Sequence, residues 1–231
     1  MERLSATDDS EYSRQTKHPF DDFTDVRSSG SVSFVRDEAI YSEGDPAGCF
    51  YKVTSGAVRS YKVLRDGRRQ IAAFYLVDDI FGVEPGLEHR LSAEAIRPTR
   101  AVAYVRRGAE VGHLGIDDRL FRDVATSTVS ELCRAHNHAI LLGRKTALEK
   151  VATFLLDIAG RMKSDTFELP MSRLDIADYL GLTIETVSRT MAKLARDCVI
   201  TMRNGRRTVV LGNKAALYRL REAEQLRLSD C

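Results

Sequence analysis

The stretch from Met171 to Leu211, MSRLDIADYLGLTIETVSRTMAKLARDCVITMRNGRRTVVL, constrains the fold of this chain more than any other. Its spacing predicts two short helices joined by a tight turn and followed by a basic β-hairpin. The first helix covers Arg173–Leu180, with Leu174, Ile176, Ala177 and Leu180 as its apolar side. Gly181 ends it, because only glycine turns a helix this sharply through a positive φ without steric cost. Thr183 then caps a second helix from Ile184, its hydroxyl accepting from the exposed backbone amides. Ala177 allows close helix approach, Gly181 makes the turn and Val187 is buried; together they specify a helix-turn-helix.

The second helix carries its chemistry on one side. Glu185, Ser188 and Arg189 stand at i, i+3 and i+4 near its N-terminus, while Val187, Met191 and Leu194 point inward. Arginine gives two parallel hydrogen bonds to a guanine edge, glutamate accepts from a cytosine amino group, and serine suits several bases. The N-terminal residues of a recognition helix are the ones that reach base edges. A plain Glu185–Arg189 ion pair would instead stabilise the helix by only about 0.5 kcal/mol.

Charge agrees with base reading. Between Ile184 and Arg221 the cations are Arg189, Lys193, Arg196, Arg203, Arg206, Arg207, Lys214, Arg219 and Arg221, against Glu185 and Asp197, whereas the whole chain carries a net +2. Concentrated positive charge neutralises phosphates and supplies most non-specific DNA affinity. Val199–Met202, an Asn204-Gly205 turn and Arg207–Leu211 form a hairpin, since Asn-Gly is the favoured two-residue turn. Arg203, Arg206 and Arg207 are candidate phosphate contacts on this wing. Arginines on such a hairpin also discourage edge aggregation, and the two roles are compatible. Ser172, Arg173, Thr183, Thr186 and Lys193 are further candidate backbone contacts.

Upstream the texture differs. Residues 1–28 are polar and rich in Ser, Asp and Thr, and read as a flexible tail. From Ser31 short β-forming segments alternate with turn residues, through Val32–Val35, Ala39–Tyr41, Cys49–Ser55, Ala57–Leu64, Arg69–Leu76, Ala93–Ile96 and Thr99–Arg106. Such closely spaced strands indicate an antiparallel β-roll, with Asp66-Gly67 as its sharpest hairpin. A long helix then runs from about Asp117 to Leu142. Its heptad rows are Phe121, Thr128, Ala135 and Leu142, and Ala125, Leu132 and Ala139, a small-residue seam suited to pairing with a second copy. Packing on its own β-roll is the other reading. Gly143 offers a hinge, Thr146–Met162 is another helix, and Phe167–Pro170 leads into the helix-turn-helix. The fold class is α+β: a tail over 1–28, a β-roll over 29–116, a dimerisation helix over 117–142 and a winged helix-turn-helix over 143–231.

Other chemistries find little support. No run of about 18 apolar residues could span a membrane, and the N-terminus lacks a signal-peptide core, so a cytoplasmic location is expected. Cys49, Cys133, Cys198 and Cys231 are scattered and read as free thiols. His136 and His138 lie two apart on a helix, whereas metal-binding pairs lie four apart. No catalytic constellation is present, so no enzyme activity is expected. Cys198 has two readings: a small apolar residue buried between helix and hairpin, or a thiolate favoured by Arg196 and open to oxidation beside DNA.

The order of these parts resembles the cyclic-AMP receptor/FNR superfamily of bacterial transcription regulators. The resemblance rests on YSEGDPAGCFYKVTSGAVRSYKVLRDGRRQIAAFYLVDDIFG for a cyclic-nucleotide-binding-type jelly roll and on LPMSRLDIADYLGLTIETVSRTMAKL for the DNA-binding unit. GAVRSYKVLRDGRRQIAAFYL, with FGVEPGLEHRLSAEAI after it, is most similar to the FixK group, regulators of microaerobic respiration and nitrogen fixation. The resemblance implies a homodimer that activates transcription beside RNA polymerase. Glu185, Ser188 and Arg189 match the FNR-type base-reading set, which implies TTGAT-like half-sites in an inverted repeat.

Departures from the family's sensing motifs imply that no small effector or cofactor is needed. Cyclic-nucleotide binders carry Gly-Glu and Arg-Ser or Arg-Thr pairs, but here Val83 follows Gly82 and Leu91 follows Arg90. Glu84 and Ser92 are each one residue displaced, which in a strand turns them to the opposite face. An iron–sulfur cluster needs thiolates, and residues 1–48 contain no cysteine. His89, His113 and Cys49 are nominal haem ligands only. An effector-gated regulator stays as the alternative.

Overall fold

The computed structural model describes residues 26–106, 118–144, 146–203, 205 and 207–228. The tail up to residue 25, His113, Asn204, Arg206 and Cys231 lie outside them. The chain runs through β1 (Val26–Phe34), β2 (Ala39–Tyr41), β3 (Cys49–Ser55), β4 (Val58–Val63), β5 (Arg69–Tyr75), β6 (Ile80–Phe81), β7 (Ser92–Ala95) and β8 (Thr99–Arg106). Helices α1 (Asp118–Arg144) and α2 (Ala147–Met162), strand β9 (Thr166–Glu168) and helices α3 (Arg173–Leu180) and α4 (Ile184–Arg196) follow. Strands β10 (Ile200–Arg203) and β11 (Thr208–Leu211) and helix α5 (Lys214–Leu228) complete it. Residues 26–28, read as tail, are already strand, because Val26 pairs with Arg106.

The roll consists of two four-stranded antiparallel sheets, ordered β1-β8-β3-β6 and β2-β7-β4-β5. Phe50, Val53, Val58, Phe81, Ala93 and Ala101 close its interior at essentially zero exposure. The β4–β5 hairpin turns through Arg65-Asp66-Gly67: the Gly67 amide donates to Leu64 O at 2.9 Å and the Leu64 amide to Arg68 O at 2.8 Å. With Gly67 at φ +79° this is a three-residue loop closed by a left-handed glycine. Gly56 is fixed by space as well as by its φ of +91°, since an added Cβ would lie 2.4 Å from Thr99 Oγ1.

The β4–β5 ribbon is covered on both faces. Val58 and Tyr75 point into the roll, while Ala57, Ile71 and Phe74 join a core that continues through α2 and α3 to α5. From α2 that core takes Val151, Leu155 and Ile158, and Leu217 of α5 is fully buried in it. Helix α2 starts on a capping box, Thr146 with Glu149, and stops at Lys163 in a left-handed conformation. Helix α1, roughly 40 Å long at 1.5 Å per residue, lies against the roll by one side only. Tyr75 Oη donates to Glu131, Lys52 Nζ donates to Asp123 Oδ2 at 3.2 Å, and Leu141 is buried.

Strands β6 and β9 and helix α5 are additional to the elements expected from sequence. Helix α5 is capped by Asn213, whose Oδ1 accepts from the Ala216 amide at 3.0 Å. Asn followed by KAALYRLREAEQ was the available signal. No helix among the described residues is long and apolar enough to cross a membrane.

Candidate DNA-reading interface

The helix-turn-helix is built as its local chemistry requires. Ser172 caps α3 and forms a capping box with Asp175; Gly181 closes the helix at φ +61°. Ala177 is 1% exposed, where α3 meets α4, and Val187 is fully buried. Thr183 caps α4, its Oγ1 accepting from the Thr186 amide at 3.2 Å. Val187, Thr190, Met191 and Leu194 form the buried side of α4. One expectation fails: Leu174 is 50% exposed and the buried residue of the first turn is Asp175. A carboxylate takes an inward position there because buried Arg59 and half-buried Arg69 meet it.

Glu185, Ser188 and Arg189 are exposed together on the opposite side of α4. Among the described residues neither Glu185 nor Arg189 makes an ion pair, so both polar ends project outward. Lys193 is exposed one turn further on. Thr183 and Thr186 stand beside this face with hydroxyls 3.0 Å apart. Ser172 Oγ donates to Asp175 Oδ2 at 2.7 Å. Arg173 is half-buried and turns its Nη2 to Met202 Sδ on the wing.

The wing is a three-stranded sheet, β10-β11-β9. Its register, Ile200↔Leu211 to Arg203↔Thr208, places residues 204–207 in the connection, instead of a two-residue Asn204-Gly205 turn. Burial of Ile200, Val209 and Leu211 holds that register. Gly205 is left-handed at φ +63°, and Arg203 and Arg207 are exposed at the tip. Not every cation counted in this region is available: Lys214 pairs with Asp165, which raises its pKa, and Arg221 contacts Glu222. Cys198 is exposed, which removes the buried reading; it adopts φ +56° directly after α4, with Sγ 3.8 Å from Arg196 O.

The roll residues that correspond to the family's sensing pairs make hydrogen bonds within the chain. Glu84 lies in a loop, not a strand, and is buried at 8% exposure, contrary to the outward aim expected of a displaced strand residue. Its carboxylate accepts from the Arg90 amide and Nε, both at 3.2 Å. Ser92 Oγ accepts from the Glu43 amide at 3.0 Å. His89 stacks on Tyr41 at 3.6 Å between ring centroids, and Tyr51 and Phe81 extend the stack. Burial, then the charges of Glu84 and Glu131, push the Tyr41 hydroxyl far above its usual pKa. Burial likewise raises the Glu131 carboxyl, partly countered by the Tyr75 hydrogen bond.

The predicted α1 seam is a continuous exposed stripe. Phe121, Ala125, Thr128, Leu132, Ala135 and Ala139 are all exposed, and Leu142 is half-buried where it meets Gly181. Val129 at 61% and Ile140 at 59% widen the stripe; both were absent from the heptad rows. Also unanticipated is a cluster joining the roll to α3. Asp175 accepts from Arg59 Nη1 at 2.9 Å and Arg69 Nη2 at 2.8 Å. Of this cluster only the Ser172-x-x-Asp175 capping pattern could be read locally.

A helix-turn-helix with a wing, seated on the outer face of a β-roll and preceded by a long helix, defines a winged-helix DNA-binding regulator. The pattern of a Crp-like helix-turn-helix domain matches residues 149–220, and that of a cyclic nucleotide-binding domain matches residues 31–111. The chain belongs to the Crp/Fnr family of transcription regulators and is FixK-like within it. It is 45% identical to the nitrogen fixation regulation protein FixK of Azorhizobium caulinodans over 193 residues, 81% of this chain and 77% of that one. FixK of Bradyrhizobium diazoefficiens is 45% identical over 181 residues, 75% of each chain. The solved structure of FixK2 from Bradyrhizobium japonicum aligns with TM-score 0.75 at 45% identity, over 84% of this chain and 97% of that one.

Proposed function

We propose that this chain is a homodimeric, sequence-specific transcription activator that reads TTGAT-like inverted repeats and needs no small-molecule effector. The observation that carries this reading is the joint exposure of Glu185, Ser188 and Arg189 at the start of α4. Arg189 contacts guanine, Glu185 the opposed cytosine and Ser188 a neighbouring thymine. Ser172, Arg173, Thr183, Thr186, Lys193, Arg203, Arg206 and Arg207 hold the phosphates around them. Dimerisation runs through the 117–142 helix, by Phe121, Ala125, Thr128, Leu132, Ala135, Ala139 and Leu142. Two reading helices then address successive half-sites, and RNA polymerase docks beside the bound dimer. The names of the FixK relatives point to genes of nitrogen fixation or microaerobic respiration as targets.

Effector independence is supported by what fills the roll. A nucleotide phosphate there would meet the carboxylates of buried Glu84 and half-buried Glu131, with Arg90 already engaged by Glu84. Burying an anion beside carboxylates is costly. The test is a titration of metal-free protein, in air, into a duplex carrying a TTGAT inverted repeat, with and without cyclic AMP. Tight binding without additive is the expected result. Binding only with the nucleotide would establish the effector-gated alternative.

Cys198 adds a redox input to the same reading. Its exposed thiol lies two residues past the end of the recognition helix at Arg196, so oxidation to a sulfinate or sulfonate places negative charge near phosphates and weakens DNA binding. Peroxide should lower the affinity of the unsubstituted protein and leave Cys198→Ser unaffected. Equal sensitivity of the two would remove Cys198 from the account.

A further inference from the structure

We infer that Arg59 and Arg69 of the roll are positioning residues for DNA reading, acting through a latch on Asp175 that sets the bearing of the recognition helix. The two oxygens of the Asp175 carboxylate do different work. Oδ2 accepts from the Ser172 amide and hydroxyl at 2.9 and 2.7 Å, which starts α3. Oδ1 accepts from Arg59 and Arg69. The Asp175 side chain is 4% exposed and that of Arg59 9%. Arg69 also reaches Asp178 Oδ2, by Nε at 3.0 Å and Nη2 at 2.9 Å. Gln70 Nε2 donates to Asp178 O at 2.8 Å, one turn along the same helix.

The latch is anchored at its other end as well. Arg59 Nη2 meets Glu94 Oε1 on β7 at 2.9 Å and Asp37 at 3.5 Å, so the tie runs across the sheet. Apolar contact between Phe74 and Tyr179, ring centroids 5.2 Å apart, presses the same surfaces together. Apolar contact is non-directional and leaves α3 free to rotate on the sheet. Arginine forks with fixed geometry remove that freedom. Because α3 and α4 share the core around Ala177, Leu180 and Val187, fixing α3 fixes the direction in which Glu185, Ser188 and Arg189 point. Arg59 and Arg69 lie on the outer face of the ribbon whose inner face closes the roll, so the bearing is set without any ligand. The inference deepens the effector-independent reading and rests on it for its consequence at DNA.

Arg69→Met and the milder Asp178→Asn test it, because both leave the Ser172–Asp175 capping box in place. Spin labels at Arg97 and Arg196, both exposed and outside the assigned DNA contacts, with all four cysteines replaced by Ser and labelled chains diluted with unlabelled ones, report the roll-to-α4 distance by pulsed electron resonance. A narrow distribution is expected for the parent, and a broadened or displaced one for both variants. Affinity for the inverted repeat should fall about tenfold or more, while affinity for an unrelated duplex stays within about twofold, since phosphate contacts are intact. An unchanged distance distribution in the folded variants overturns the latch, whatever happens to binding. If the parent itself fails to select the inverted repeat, the proposed function falls, and the distance measurement still decides the latch.

Discussion

At the scale of single residues, the interface separates groups that choose a sequence from groups that only hold DNA. Arg189 is exposed beside Glu185 and Ser188, whereas Arg207 is exposed on the wing. Arg189→Ala should cost about 1–3 kcal/mol on the preferred site and relax base preference. Arg207→Ala should weaken all sequences alike and reduce the salt slope by about one. Competition binding at two salt concentrations separates these outcomes, and intact preference in Arg189→Ala would refute the base-reading assignment. The reading helix was legible because its requirements are local: a turn glycine, a capping threonine and a buried valine all lie within a few residues. Asp175 was not, since its partners Arg59 and Arg69 lie 116 and 106 residues away. The same distance explains Leu174, whose apolar character suggested burial while the charged neighbour took the inward position.

Elements become legible when their pattern exceeds their length. Most roll strands alternate over several residues and are legible, as is three-residue β2 ahead of the Gly44-Asp45 turn. Strand β6 has two residues, and β9, although as long as β2, lacks a flanking glycine turn. Helix α5 was missed because its charged residues are spread around it and the apolar side it packs on the core is narrow, Leu217 flanked by Ala216 and Leu220. The stripe on α1 has the opposite character, with Val129, Leu132 and Ile140 more than half exposed. Placing a carboxylate in its centre by Leu132→Asp should cost on the order of 3 kcal/mol per buried charge. With one such charge from each copy, dimer affinity then drops on the order of ten-thousandfold, read as a shift toward monomer in sedimentation equilibrium and parallel loss of inverted-repeat binding. Dimers that form normally in this variant would show that α1 packs only on its own roll.

For the whole molecule, Glu131 ties the long helix to the roll interior, and its titration belongs to overall stability. Its carboxyl is raised from the ordinary 4.5, first by burial. The folded state therefore holds that proton more tightly than the unfolded chain does. The contribution is fully present below the unfolded pKa and is lost as pH rises through the folded value. Glu131→Gln keeps an acceptor for the Tyr75 hydroxyl and removes the titration. It should flatten the decline of stability above pH 4.5 and raise the unfolding temperature at neutral pH. A variant with an unchanged pH profile would show that the group does not titrate with folding.

One core runs without a break from Ala57, Ile71 and Phe74 on the roll to Leu217 in the last helix. A regulator assembled in this way resists modular exchange. Splicing its reading head onto a foreign sensor would strip the covering from the β4–β5 ribbon and leave Asp175 facing the wrong surface. Successful chimeras in this lineage would have to carry the ribbon and α2–α3 across together, so the heritable unit for recombination is that shared seam and not either half alone.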